Sequence, residues 1–342
     1  MPELPEVETL RHELAAAVIG KTIKSAAVDW PKMVKPLAIG EFQEKIKGKK
    51  IIDISRRAKM LILKLSGRKF LIIHLKLTGQ LIFQPAPTPS SPRPKRGSSF
   101  LGSAECSQGR IHRLSLRSLL PVAARPPRAG GDKIIVGGHP LRLRQSEASP
   151  QKGGTSDLPN KFTHGILNFT DGSKLYFNDL RKFGWMRLVD QARIDKISDE
   201  FGVEPLTKEF TLKKFLQILK KYPNRKIKQI LMDQTQIAGM GNIYTDESCF
   251  CAKIMPTRIV KTLKDSEIRG LYQCIKKILK LAISKKGTSA DTYVQLNGKP
   301  GGFVPYLKVY GRKGEKCKRC SGTVKRIKLN GRGTHFCDQC QK

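Results

Sequence analysis

The sequence predicts a multidomain α+β protein in which an N-terminal helix and an antiparallel β-sandwich precede a helical domain and a C-terminal zinc ribbon. Three observations carry this. Short segments rich in branched and aromatic residues, separated by Gly and Asp, fill the first half of the 342-residue chain. From about residue 191 the apolar positions change to helical periodicity. Near the C-terminus, Cys317, Cys320, Cys337 and Cys340 form two CxxC pairs separated by sixteen residues. A chain of this length accommodates two domains and an appended module, and the boundaries are expected at 1–190, 191–308 and 309–342.

In chain order, EVETLRHELAAAV sets Val7, Leu10, Leu14 and Val18 on one helical face. Pro5 and the neighbouring glutamates suit the start of that helix, where backbone amides are free and the dipole is positive. Strand-like segments follow: TIKSAAVDW, KKIIDISRRAKMLILKL, KFLIIHLKLTGQLIF, HGILNFTD, SKLYFNDL and FGWMRLV. TLKKFLQILKKY, RKIKQILMDQ, NIYTDESCFCAKI and DSEIRGLYQCIKKILKLAISKK are then expected as helices. Residues 85–131 fit neither domain. They hold eight of the twenty prolines and seven arginines to one lysine, beside lysine-rich text such as KIKGKK. A long stretch of this composition inside a compact domain predicts a disordered insertion, with a nucleic-acid-binding arm as the other reading.

Charge identifies the partner class. With 65 Lys and Arg against 28 Asp and Glu the chain carries +37, which attracts polyanions, above all nucleic acid. A membrane surface is the rival, but no basic amphipathic helix with an aromatic face appears. Runs such as MLILKL are too short to span a bilayer. The first twenty residues lack the basic and apolar regions of a secretory signal, so a cytoplasmic, nucleoid-associated protein is expected. In a reducing compartment the double CxxC reads as a site for one structural Zn2+ rather than a disulfide framework. Four thiolates leave no open position for water, and about thirty residues hold too little core to fold without the metal. Cys106, Cys249, Cys251 and Cys274 lack metal spacing. Cys249 and Cys251, two apart on a helix, read as packing residues.

The opening MPELPEVETL places a candidate nucleophile. Removal of Met1 would expose Pro2 as a free secondary amine, and an α-amino group is partly unprotonated at neutral pH. Its attack on a sugar C1′ gives an iminium, whose fixed positive charge draws electrons as C–O bonds break at the β and δ positions. Glu3 can move the protons this requires. Read alone, the same residues are first of all a well-capped helix start.

The stretch resembles the N-terminal signature of the formamidopyrimidine-DNA glycosylase family, and the likeness continues in order. It runs through RRAKMLILKL, HLKLTGQL, NDLRKFGWMRL, IKQILMDQ, IAGMGNIYTDE, GKPGGFVPYLKVYGRKGEKC and GRGTHFCDQCQK, sparing only 85 to about 158. The resemblance implies that the helical domain is a helix-two-turn-helix. It implies a bifunctional DNA glycosylase and AP lyase of base excision repair that removes oxidised purines from double-stranded damaged DNA as a monomer. Pro2 would be the Schiff-base nucleophile, Glu3 the general acid and Glu6 a supporting carboxylate. Lys59 would assist proton transfer, and Arg332 would reach toward DNA for δ-elimination.

Flipping a nucleotide leaves a gap in the stack. The resemblance maps its filling onto Leu77, Arg181 and Phe183, although pattern alone allows Leu77 and Phe183 to be strand core. Asn242 and the amides of GMGNIY are expected on a phosphate. Arg225 and Lys228 are further phosphate candidates, and His74, His164 and Tyr310 are expected to line the DNA cleft. Four positions depart from the family pattern: Leu77 stands where Met is usual, Phe162 replaces a histidine, and LRKF carries Leu180 and Lys182 for proline and arginine. The three glycines of GKPGGF suit close backbone approach to the flipped base. A related pyrimidine-directed enzyme of the endonuclease VIII type shares Pro2, Glu3 and the ribbon, while ELPEVE and RKF favour the purine enzyme. A DNA-binding protein without turnover is the reading from a different class.

Overall fold

The computed structural model describes residues 2–87, 158–290 and 292–342. Apart from 85–87, the predicted insertion lies outside these residues, as does Cys106. Helix α1 (Leu4–Val18) starts at a capping box in which the Glu3 side chain meets the Glu6 backbone and Glu6 reaches back to the Glu3 N–H at 2.8 Å. Its apolar face, Val7, Leu10, Leu14 and Val18, is wholly buried, and Gly20 in the left-handed region releases the chain.

Two four-stranded antiparallel sheets follow. One has the order β1-β6-β7-β5 and the other β2-β3-β4-β8. Their members are β1 (Ile23–Val28), β2 (Ile51–Arg57), β3 (Met60–Leu65), β4 (Lys69–His74), β5 (Gly79–Gln84), β6 (Thr163–Phe169), β7 (Lys174–Asp179) and β8 (Trp185–Val189). Leu61, Leu63, Leu71 and Ile73 from one sheet pack with Leu81, Leu167, Leu175 and Phe177 from the other, joined by the α1 face. The runs MLIL and FLII are apolar on both faces because Met60, Ile62, Phe70 and Ile72 form a second cluster under Ile197 of α3 (Gln191–Asp199).

One predicted strand segment splits between the sheets. KFLIIHLKLTGQLIF becomes β4 and β5 in different sheets, with the crossing at 75–78. Likewise β7 and β8 lie in different sheets, with the crossing at 180–184. Two short helices, α2 (Ile39–Ile46) and α3, were not predicted, because eight or nine residues with one or two buried apolar positions give little periodicity.

The helical region contains α4 (Leu212–Lys220), α5 (Ile227–Leu231), α6 (Asn242–Cys251) and α7 (Asp265–Ser284). RKIKQILMDQ is helical only over its middle five residues. Helix α7 buries Ile268, Leu271, Ile275 and Leu279 along one face, whereas α6 is buried all round from Ile243 to Phe250. Cys251 at the end of α6 is disulfide-bonded to Cys274 of α7, which corrects its reading as a packing residue; Cys249 remains free and buried. Spacing along one helix could not reveal a partner on the next. The C-terminal hairpin pairs β9 (Lys325–Leu329) with β10 (Arg332–Phe336) around Asn330 and Gly331, both with positive φ. Among the described residues no helix is long and apolar enough to cross a membrane.

Candidate active site and nucleic-acid interface

Pro2 and Glu3 are buried at the start of α1, against the start of α6. The Glu3 carboxylate accepts from the N–H groups of Ile243 at 3.0 Å and Tyr244 at 3.4 Å, the free amides of the first turn of α6. Gly241 makes this approach possible, since a Cβ there would lie 2.3 Å from the Glu3 Cδ. The GMGN turn therefore seats a carboxylate of the protein itself, which corrects the expectation that those amides are free for phosphate. Behind Glu3, Glu6 is 1 % exposed and accepts from the Thr288 N–H at 2.8 Å and from the Tyr244 hydroxyl, which also meets Thr288 Oγ1 at 2.8 Å. Burial, reinforced by the charge of Glu3, pushes the Glu6 carboxyl up to about 7.

Lys59 sits in the two-residue turn between β2 and β3, where Ala58 has φ 53°. Glu204, 6 % exposed, holds this turn: it accepts from the Ala58 N–H at 2.7 Å, from Arg56 at 2.5 Å and from Arg57 at 3.3 Å. Desolvation lowers the Lys59 ammonium from its ordinary value. The charges of Glu3 and Glu6 oppose that fall and Arg332 deepens it, so all four groups act within one electrostatic site. Sequence reasoning did not find Glu204, which lies 145 residues from Lys59 and belongs to no motif.

His74 pairs across the strands with Met60, beside Lys59, and leads into the first sheet crossing. Its Nδ1 accepts from the Lys76 N–H at 2.9 Å. Burial, then the charges of Lys76, Lys59 and Arg187, lower its pKa to about 3, so it is a neutral imidazole at neutral pH. Leu77 on this crossing and Arg181 and Phe183 on the other line one cavity of about 710 Å³. Phe183 is 50 % exposed, and the Arg181 guanidinium lies over its ring at 4.9 Å. Asp179, 1 % exposed, joins the two crossings. It accepts from the Thr78 hydroxyl and from the N–H groups of Arg181 at 3.1 Å, Phe183 at 2.8 Å and Gly184 at 2.6 Å. The D of NDLRKFG is the signal that could have found it, as an Asp able to order the turn that follows.

Several expected DNA contacts are engaged elsewhere. Lys228 is 2 % exposed, with Nζ 2.6 Å from Asp246 Oδ1 and 2.9 Å from Thr334 Oγ1, so it is a buried structural cation and no free phosphate ligand. Asn242 donates through Nδ2 to the Gly333 carbonyl at 2.9 Å, which ties it to the ribbon. His164 is 5 % exposed and bonded to Asp29 at 3.0 Å, which corrects its place in the cleft. The Tyr310 ring meets His335 edge-on at 4.9 Å and packs against the apolar cluster of the helical domain. Arg225 is 40 % exposed, paired with Asp233 at 3.1 Å, and shares with Arg332 a cavity of about 200 Å³. The amides of Gly301 and Gly302 bond to Ser289 and Lys285, so they brace the GKPGGF loop and are not free to read a base.

The four cysteines suit zinc. Their Sγ atoms lie within 4.8 Å of one another, with Cys317 to Cys340 at 3.7 Å and Cys320 to Cys337 at 3.6 Å. A tetrahedron of zinc–thiolate bonds has sulfur edges of about 3.8 Å. Amides of Arg319 and Gly322 donate to Cys317 and Cys320 Sγ at 3.4 Å, steadying thiolates. The metal is structural and supplies fold rather than a reacting water.

A sandwich and a helical domain that meet at one charged junction, with a zinc ribbon bound to the helical side, have the architecture of helix-two-turn-helix DNA glycosylases. Family models match the formamidopyrimidine-DNA glycosylase N-terminal domain at residues 1–111, the H2TH domain of the same enzymes at 201–294, and the zinc finger found in FPG and IleRS at 314–342. The formamidopyrimidine-DNA glycosylases of Carboxydothermus hydrogenoformans and Pelotomaculum thermopropionicum are each 33 % identical, over all of this chain and 100 % and 99 % of theirs. Solved Lactococcus lactis Fpg structures, one with DNA containing an abasic site and one a mutant with Fapy-dG DNA, align at 31 % identity and TM-score 0.73. The first covers 99 % of both chains and the second 100 %. The chain belongs to the formamidopyrimidine-DNA glycosylase family, a family of DNA-repair enzymes.

Proposed function

We propose that this chain is a monomeric, cytoplasmic DNA glycosylase and AP lyase that excises oxidised purines and nicks the strand. The observation that carries the reading is the convergence of Glu3, Glu6, Lys59 and Arg332 on one electrostatic site beside the buried Pro2. In this mechanism, Pro2 nitrogen, freed of Met1, bonds to C1′ as the C1′–N9 bond breaks and the base leaves with a proton. Glu3 protonates O4′, the ring opens, and the amine and C1′ become an iminium. Loss of a C2′ proton, assisted by Lys59, breaks the C3′–O3′ bond. Loss of the C4′ proton to water then breaks the C5′–O5′ bond, with Arg332 stabilising the departing phosphate. Each electron pair leaves on a phosphate oxygen, and nothing is oxidised or reduced.

Leu77, Arg181 and Phe183 would fill the vacated stack, and His74 and Arg225 would contact the strands. We assign these tasks to a catalytic unit at 1–190, a helix-two-turn-helix unit at 191–308 and a ribbon at 309–342. The Lactococcus lactis complexes with abasic-site and Fapy-dG DNA support damaged DNA as the partner.

Borohydride trapping tests the chemistry, since only an imine is reduced to a stable adduct. Pro2→Gly is expected to lower trapping on 8-oxoguanine duplex by about ten-fold or more while damage binding persists. Equal trapping would move the nucleophile to another amine such as Lys59. Excision of thymine glycol with none of 8-oxoguanine would overturn the substrate reading.

A further inference from the structure

The residues that follow Arg332 are held one by one from the helical domain. The Gly333 carbonyl accepts from Asn242 Nδ2 at 2.9 Å, Thr334 Oγ1 lies 2.9 Å from Lys228 Nζ, and the His335 N–H donates to Asp246 Oδ2 at 2.8 Å. Lys228 and Asp246 close this arrangement on each other at 2.6 Å, at 2 % and 0 % exposure. Thr334 is also fully buried, while Arg332 itself is exposed at the hairpin tip. Asn242 and Asp246 belong to α6, the helix whose first turn is capped by Glu3 at 3.0 Å. Arg332 and the nucleophile's neighbour are thereby registered against one buried, rigid element. A desolvated charge pair is costly unless fully bonded, and here each oxygen of Asp246 has a partner. Such a pair favours one hairpin position over its neighbours.

We propose that Lys228 and Asp246 are positioning residues that hold Arg332 in register with Glu3, so that the first elimination is followed by the second. The inference rests on the assignment of Arg332 to δ-elimination. In that step the C4′ proton passes to water and the C5′–O5′ electron pair leaves on phosphate, so a misplaced guanidinium stops the sequence after the C3′–O3′ bond has broken.

The test uses full-length, zinc-loaded protein with Met1 removed and a duplex containing one abasic site. The ratio of δ to β product is read on a gel, alongside the borohydride trapping rate and zinc per chain. Two variants are compared with Arg332→Ala: the double variant Lys228→Met/Asp246→Leu, which removes both charges at similar volume, and Thr334→Val, which removes only the hydroxyl. The double variant is expected to trap within about two-fold of the parent and to keep one zinc, while its δ-to-β ratio falls about ten-fold. Thr334→Val is expected to fall about three-fold. An unchanged ratio with zinc retained overturns the proposal, and so does trapping that falls in step with the ratio. If the double variant sheds zinc, Thr334→Val decides by the same two outcomes. If Arg332→Ala leaves the ratio unchanged, the assignment of Arg332 itself fails and the clamp has no catalytic target.

Discussion

Glu6 shows at the residue scale how burial makes a carboxylate into a proton store. Its oxygens meet the Glu3 and Thr288 amides and the Tyr244 hydroxyl, yet desolvation outweighs those bonds and raises it from 4.5 to about 7. The folded state therefore holds a proton that the unfolded chain releases near the ordinary value. This contribution to stability is fully present below about pH 4.5 and is lost as pH rises through about 7, amounting to about 3 kcal/mol. Glu6→Gln cannot titrate, so its denaturant midpoint is expected to change less between about pH 5.5 and 8 than that of the parent. Parallel curves for the two proteins would show that Glu6 does not carry a raised pKa. Lys59 moves the other way: its lowered pKa increases the neutral fraction and suits a group that accepts a proton.

The site depends, among the elements, on the two sheet crossings and on α6. Asp179 accepts four hydrogen bonds that fix Leu77, Arg181 and Phe183 relative to one another. Asp179→Asn places an amide against donors, at a cost of about 1–3 kcal/mol in local order. Excision from 8-oxoguanine duplex is expected to fall about ten-fold or more, while cleavage of a single-stranded abasic substrate, already unstacked, stays within about three-fold. Equal losses on both substrates would instead place Asp179 in the general stability of the sandwich. Helix α6 holds Glu3 at its start, while Asp246 and Glu247 in its middle hold β10 and the amides of Lys308, Val309 and Tyr310. That explains how this helix, buried from Ile243 to Phe250, accommodates the two carboxylates of Asp246 and Glu247.

Across the whole molecule, the ribbon depends on metal for its fold and on the helices for its place. Phe250, Val309, Cys317, Val324 and Cys337 form its small cluster, and the Arg319 guanidinium lies 4.1 Å from the Phe250 ring. So small a cluster does not order thirty residues without zinc. Removal of zinc by a chelator is expected to unfold β9 and β10 and abolish the δ product, leaving the sandwich and α1 folded. Fluorescence of Trp30 and Trp185, both in the sandwich half, should report that retention, and co-operative loss of the sandwich signal would contradict it.

The residue types were legible because local chemistry demands them: the proline-led acidic helix start, the apolar strand runs and the CxxC pairs announce themselves within a few positions. Such signals determined the family, the order of the domains and the metal. Partners separated by long stretches of chain left no local trace. Glu204 on the Lys59 turn, Asp246 on β10, His164 on Asp29 and Cys251 on Cys274 became visible only when the chain folded. Charge in a sequence says only that a residue can bind an anion. Desolvation and the nearest opposite charge decide whether it does, and these two quantities, fixed by tertiary packing alone, turned Lys228 from a DNA contact into an internal brace.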